Sequence, residues 1–169
     1  VGGFRYELGE RLADLLREQG YQAELRRRWA ALPSVTATAK PAVAPAAEKI
    51  IGEALSADFY PLMQDTHRDA KAADLRKAMK ERGYQIISGE GAYAPFKARG
   101  WFECGKIDKL GHEKHASNLF SRLIGEELEE VKRHIIGLLK AGWSSVRVVT
   151  DHAGFFFPVA YPRLPRRSI

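Results

Sequence analysis

The chain has 169 residues, 45% hydrophobic and 28% charged, with 27 Lys+Arg against 21 Asp+Glu for a net charge of +6. Enough apolar side chain is present to bury a core, so disorder is excluded as the main state. No apolar run reaches the roughly 18 residues a membrane helix needs, and the single cysteine, Cys104, excludes an internal disulfide and a multi-thiolate metal site.

The first residues, Val-Gly-Gly, read as the tail of an element and predict a fragment or a processed product. Residues 5–19 read as a helix: Leu8, Leu12, Leu15 and Leu16 share a face, Glu7 and Arg11 form an i,i+4 pair, and Gly20 stops it. Tyr21–Leu25 alternates weakly, like a strand. Pro33, Pro41 and Pro45 forbid one long helix over residues 29–47. A helix is expected from about Ala46 to Leu55.

Residues 70–82 repeat the first pattern, with Ala72, Leu75 and Met79 as the stripe and Gly83 as the stop. Tyr84–Ser88 is the following strand. Gly20-Tyr21-Gln22 and Gly83-Tyr84-Gln85 suggest the same helix-to-strand turn used twice. Gly89–Gly100 reads as loop. The longest helix spans about His115 to Ala141, its apolar face carrying Phe120, Leu123, Ile124, Leu128, Val131, Ile135 and Leu139. Gly142 ends it. Val146–Thr150 is the strongest strand pattern, and Phe155–Val159 is a candidate for another. Alternating helices and strands predict an α/β domain, a three-layer sandwich with a mostly parallel sheet. Ligands of such sheets gather beyond the carboxyl ends of the strands.

Three segments carry candidate chemistry. Asp151-His152 follows the strand Val146–Thr150, and Asp108-Lys-Leu-Gly-His112 holds an acid and an imidazole four residues apart. Both pairs are suitable metal ligands; both are also ordinary turn and capping residues. The third segment, Leu32-Pro-Ser-Val-Thr-Ala-Thr-Ala-Lys40, offers Ser34, Thr36 and Thr38 as a hydroxyl nucleophile or as a helix N-cap.

Taken in order, these pieces resemble the alkaline phosphatase superfamily. The closer resemblance is to the PglZ domain of bacteriophage-exclusion (BREX) defence systems. It rests on Phe4–Gly9, Trp29–Pro41, Leu75–Ile86, Asp108-x-x-Gly-His112 and Ala141–His152, nearly the whole chain. The resemblance implies a single PglZ-like domain over residues 1–169, incomplete at both ends, in a cytoplasmic phage-defence protein. It implies metal-dependent hydrolysis of a phosphoryl ester, with a phosphorylated or nucleic-acid-type substrate and other defence proteins as partners. Thr36 is then the nucleophile, with Thr38 the second choice. Asp151 and His152 hold one divalent metal, zinc by ligand type, and Asp108 and His112 hold the other. Lys40 and Arg5 balance phosphate charge.

The chain departs from the family at two points. Gly2 stands where the family has an Asp at the end of its first strand, and no His follows His152. Each metal therefore lacks one side-chain ligand, although His115 lies near His112. Two readings of other classes stand beside the hydrolase: a non-catalytic scaffold in a defence complex, and a weak nucleic-acid binder using Arg26–Arg28 and the arginines at 163, 166 and 167.

Overall fold

The structure is a computed structural model that describes residues 4–26, 31, 34–52, 60–107 and 117–151. Four α-helices and two small sheets are seen among the described residues: α1 (Tyr6–Glu18), α2 (Thr36–Val43), β1 (Ile50–Ile51), β2 (Leu62–Met63), α3 (Ala72–Glu81), β3 (Tyr84–Ile87), β4 (Arg99–Phe102) and α4 (Ser117–Lys140). β1 and β2 pair antiparallel. β3 and β4 pair parallel, with Tyr84 opposite Arg99 and Ile87 opposite Phe102. Among the described residues the fold is thus mixed α/β with one parallel pair. No helix among the described residues is long and apolar enough to cross a membrane.

Helices α1, α3 and α4 fall where their leucine spacing puts them. Leu12 and Leu16 of α1 pack with Phe4, Ile107 and four residues of α4: Ile124, Leu128, Val131 and Ile135. A second core gathers Leu75, Ala78 and Met79 of α3 around Met63, Ala44 and Ala46. The three helices end on glycines with positive φ: Gly20 at 81°, Gly83 at 83° and Gly142 at 114°. There the backbone turns left-handed, which a Cβ would penalise, and orphan carbonyls of the last turn are met by N–H groups beyond it. Tyr21 N donates to Leu16 O in this way, and Trp143 N to Leu138 O.

The twin Gly-Tyr-Gln turns have different sequels. After Gly83, Tyr84–Ile87 finds β4 and becomes a strand. After Gly20, Tyr21 and Ala23 point inward and Gln22 and Glu24 outward, yet no strand is assigned. A strand is defined by its partner, and the alternation of Tyr21–Leu25 supplies none. The same holds for Val146–Thr150, where no strand is assigned although Val146 packs against the core. Phe155–Val159 lies outside the described residues.

Two further elements differ from expectation. The helix expected from about Ala46 to Leu55 is not seen over its described part, to residue 52, where there is a 3-10 turn at Ala47–Lys49 and then β1. The α-helix comes earlier, at Thr36–Val43, with Pro41 inside it. Pro41 removes one hydrogen bond, and the helix runs only two residues past it. Ala44 precedes Pro45 and is extended (φ −68°, ψ 134°), which ends the helix. The second difference is β4, whose first two residues, Arg99 and Gly100, read as the end of a loop. Its Gly100 is where Trp143 crosses: a Cβ there would sit 2.7 Å from the indole. The glycine that makes the segment look like loop is what lets the strand and the ring pack.

Gly137 of α4 has a similar role under Tyr93. A Cβ on Gly137 would lie 2.7 Å from Tyr93 Cε2. The ring cannot readily retreat, because its hydroxyl is hydrogen bonded to His134 and its carbonyl accepts the Trp143 indole N–H at 2.6 Å. Gly125, on the same helix, has nothing among the described residues within 4 Å of a built Cβ. Alanine gains about 1 kcal/mol over glycine in a helix, whereas overpacking costs about 1–3 kcal/mol. Gly125→Ala should therefore raise the melting temperature and Gly137→Ala should lower it. Two shifts of the same sign in thermal unfolding would contradict this packing.

Candidate functional site

Thr36 is the first residue of α2, after the extended Val35 (φ −128°, ψ 159°), and its side chain is exposed. Thr38 is buried, and its hydroxyl donates to the Val35 carbonyl at 3.1 Å. That hydroxyl is turned back onto the helix's own first turn and buried, whereas Thr36 is exposed. Ser34, just ahead of the helix, is exposed.

Lys40 lies one turn beyond Thr36, and its ammonium contacts Glu103 Oε2 at 2.8 Å. Glu103 follows directly on β4, at the carboxyl end of a parallel strand. It also receives Arg76 of α3 at 3.2 Å and the Trp101 indole N–H at 3.0 Å. Burial pushes the Glu103 carboxyl up, but the hydrogen bonds from Lys40 and Trp101 and the charges of Lys40 and Arg76 outweigh it, so the net shift is downward. A carboxyl held below its ordinary value of 4.5 stabilises the fold above that pH and loses this contribution as pH falls through the folded value. The stability gap between the native chain and Glu103→Gln should therefore be largest above about pH 4.5 and close on acidification. Urea midpoints measured from pH 3 to 7 check this; a gap that widens in acid would refute it.

Asp151 is half-buried. Its neighbour Thr150 accepts a hydrogen bond from the Phe4 backbone N–H at 3.2 Å. The start of α1 and the segment leading into Asp151 are thereby joined across 146 residues. Arg5, next to Phe4, contacts Glu7 at 3.2 Å. Asp108, His112, His115 and His152 lie outside the described residues, as do Arg27, Arg28 and the C-terminal arginines. Of the basic run, Arg26 is described; it is exposed and contacts Glu24 at 3.2 Å. Among the described residues, no group of three or more His, Cys, Asp or Glu side chains is placed to hold a metal.

Sequence reasoning did not single out two polar clusters. One is the Lys40–Glu103–Arg76–Trp101 group, which joins residues 40, 76, 101 and 103 through the fold and has no local motif. The other surrounds α4. His134 is hydrogen bonded to Tyr93 through Nδ1, and its Nε2 lies 3.6 Å from Glu130. One turn before Glu130 is Glu127, buried at 5% exposure, whose Oε2 accepts the Lys106 backbone N–H at 2.7 Å. Cys104 stands nearby; burial pushes its thiol up, and the charges of Glu127 and Glu130 push the same way, so it is poorly suited to thiolate chemistry. Two shallow hollows beside α3, lined by Thr66, Asp74 and neighbouring residues, include none of the candidate residues.

No protein-family model, curated protein or solved structure matches the chain.

Proposed function

We propose that the chain is a PglZ-like domain of the alkaline phosphatase type, a three-layer α/β sandwich with a mostly parallel sheet. It hydrolyses a phosphoryl ester in a metal-dependent reaction, in the cytoplasm, as part of a phage-defence assembly. The observation that carries this reading is the ordered trio Thr36, Asp108-x-x-Gly-His112 and Asp151-His152, with Thr36 exposed at the first position of α2. The partial positive charge at a helix start favours an anionic group beside that hydroxyl. Thr36 is exposed, whereas Thr38 is buried with its hydroxyl on the Val35 carbonyl, which makes Thr36 the more accessible nucleophile of the two.

The residues fit a divalent metal by type: Asp151 with His152, and Asp108 with His112, are carboxylate–imidazole sets suited to zinc. When bound, the metal lowers the pKa of the attacking hydroxyl and neutralises charge on the phosphoryl oxygens. Asp151 is oriented through its neighbour Thr150, which is anchored on the Phe4 N–H. Lys40 supplies a cation one turn behind Thr36, held there by Glu103.

The test is hydrolysis of an aryl phosphate ester and diester with added zinc or manganese. Turnover stimulated by metal and absent from Thr36→Ala is the expected result. Turnover no higher than that of Thr36→Ala would sink the hydrolase and leave the scaffold.

A further inference from the structure

We infer that Phe96, Lys97 and Arg99 form a docking surface for a single strand of nucleic acid, with a base stacked on the Phe96 ring and phosphates on the two cations. The surface lies at the amino end of the β3–β4 pair, whereas Glu103 follows β4 at its carboxyl end, so the inference stands apart from the metal-dependent reading above.

Phe96 is 76% exposed, more than any other large hydrophobic side chain among the described residues. A lone apolar side chain on a loose loop is ordinary, but the loop under Phe96 is pinned from below. Gln85 is 2% exposed and commits its amide to that loop. Its Nε2 donates to the Ala92 carbonyl at 3.2 Å and to the Ala94 carbonyl at 2.9 Å, and its Oε1 accepts the Phe96 N–H at 3.0 Å. The Tyr93 carbonyl accepts the Trp143 indole N–H at 2.6 Å. Pro95 adjoins Gly142, with its Cγ 3.6 Å from where a Cβ on that glycine would sit. The backbone under Phe96 is therefore fixed before a partner arrives, which lowers the ordering cost of binding.

Residues 94–99 are exposed throughout and hold two cations, Lys97 and Arg99, and no acid. The nearest acids along the chain are engaged elsewhere: Glu90 lies 3.7 Å from Arg133, and Glu103 contacts Lys40 and Arg76. Arg99 lies over the Tyr84 ring, 4.8 Å from its centroid, and donates to the Arg82 carbonyl at 3.2 Å. Those contacts hold the guanidinium in place without neutralising it. Arg82 itself is balanced by Glu48 at 2.8 Å. Lys97 has no ion pair among the described residues. The Cα atoms of Phe96 and Arg99 are at most about 11 Å apart, so ring and cations serve one ligand. An aromatic face beside uncompensated cations is how single strands are held: the ring takes a base of any sequence and the cations take the backbone. A duplex keeps its bases stacked on one another and offers none to the ring. An acidic peptide would meet the cations and leave the flat ring without a role. None of these contacts involves a 2′-hydroxyl, so single strands of DNA and RNA should bind alike.

The experiment is fluorescence anisotropy of the full chain with labelled oligo(dT), oligo(rU) and an abasic strand of equal length, over a series of salt concentrations. The native chain should bind both oligonucleotides, and salt should weaken the binding. Phe96→Ala and Phe96→Leu should each lower oligo(dT) affinity about fivefold or more, and Phe96→Trp should keep it. Binding of the abasic strand should be the same in all three. Lys97→Gln should weaken binding of every strand and reduce the salt slope by about 0.7. Phe96 is exposed, so melting should move little in its variants. No binding by the native chain, or native affinity in Phe96→Ala, would overturn the inference. Full affinity in Phe96→Leu with a loss in Phe96→Ala would also overturn it, since an apolar contact would then suffice without a stacked base. A glutamate-rich peptide that displaces oligo(dT) at equal concentration would do the same and assign the surface to an acidic protein. If Phe96→Ala does not fold, Phe96→Leu against Phe96→Trp carries the comparison, and equal affinity in those two would overturn the stacking.

Discussion

Thr36→Ala should abolish metal-stimulated ester hydrolysis while leaving stability within about 0.5 kcal/mol of the native chain. The two halves of that expectation have separate grounds. Activity depends on a hydroxyl that alanine cannot replace. Stability depends little on the side chain, because Thr36 is exposed and α2 buries Thr38, Ala39 and Pro41 instead. The neighbouring Thr38→Ala supplies the contrast: it removes a buried hydroxyl bonded to the Val35 carbonyl. Parallel turnover assays and urea melts of the two variants separate a chemical role from a structural one. A Thr36→Ala protein that melts much earlier would show that lost activity reflects lost structure.

Leu128→Ala should destabilise the fold by about 2–5 kcal/mol, the range for a fully buried leucine that leaves a cavity. Leu128 has no exposed surface and lies in the core formed by α1, α4 and Ile107. Such a loss is a large part of the total for a domain of this size, which is about 5–15 kcal/mol. Activity should fall with it, because this core seats both Phe4, whose N–H holds Thr150, and Ile107, the residue before Asp108. The shift in urea midpoint measures the effect. A loss below about 1 kcal/mol would mean that the helices close over the gap.

The helices were legible because their signals are local. Leucine spacing and a terminal glycine suffice for α1, α3 and α4, and each is found within about two residues of its expected ends. The strands were less legible, because pairing is a property of two segments. Val146–Thr150 has the better β-propensity, yet the assigned strand is Arg99–Phe102, with an arginine and a glycine in it. What decides is the register with Tyr84–Ile87 and the room Gly100 leaves for Trp143. α2 was hidden by a proline rule that holds for long helices; an eight-residue helix can keep Pro41 near its end. Of the candidate site, the exposure of Thr36 and the half-burial of Asp151 are on view. The Lys40 and Arg76 contacts of Glu103 and the Lys106 contact of Glu127 had no sequence signature, since these partners lie 21 or more residues apart.

The hydrogen bond from Phe4 to Thr150 also bears on the order of folding. Closing a loop of 146 residues has an entropic cost of about 4 kcal/mol. A lone hydrogen bond contributes about 1 kcal/mol, so this one cannot form first. It forms only after α1 has docked on α4 and brought Phe4 into the core. The segment carrying Asp151 is accordingly among the last parts of the chain to acquire its native geometry. Binding competence at Asp151 would then lag behind the gain of helix during refolding.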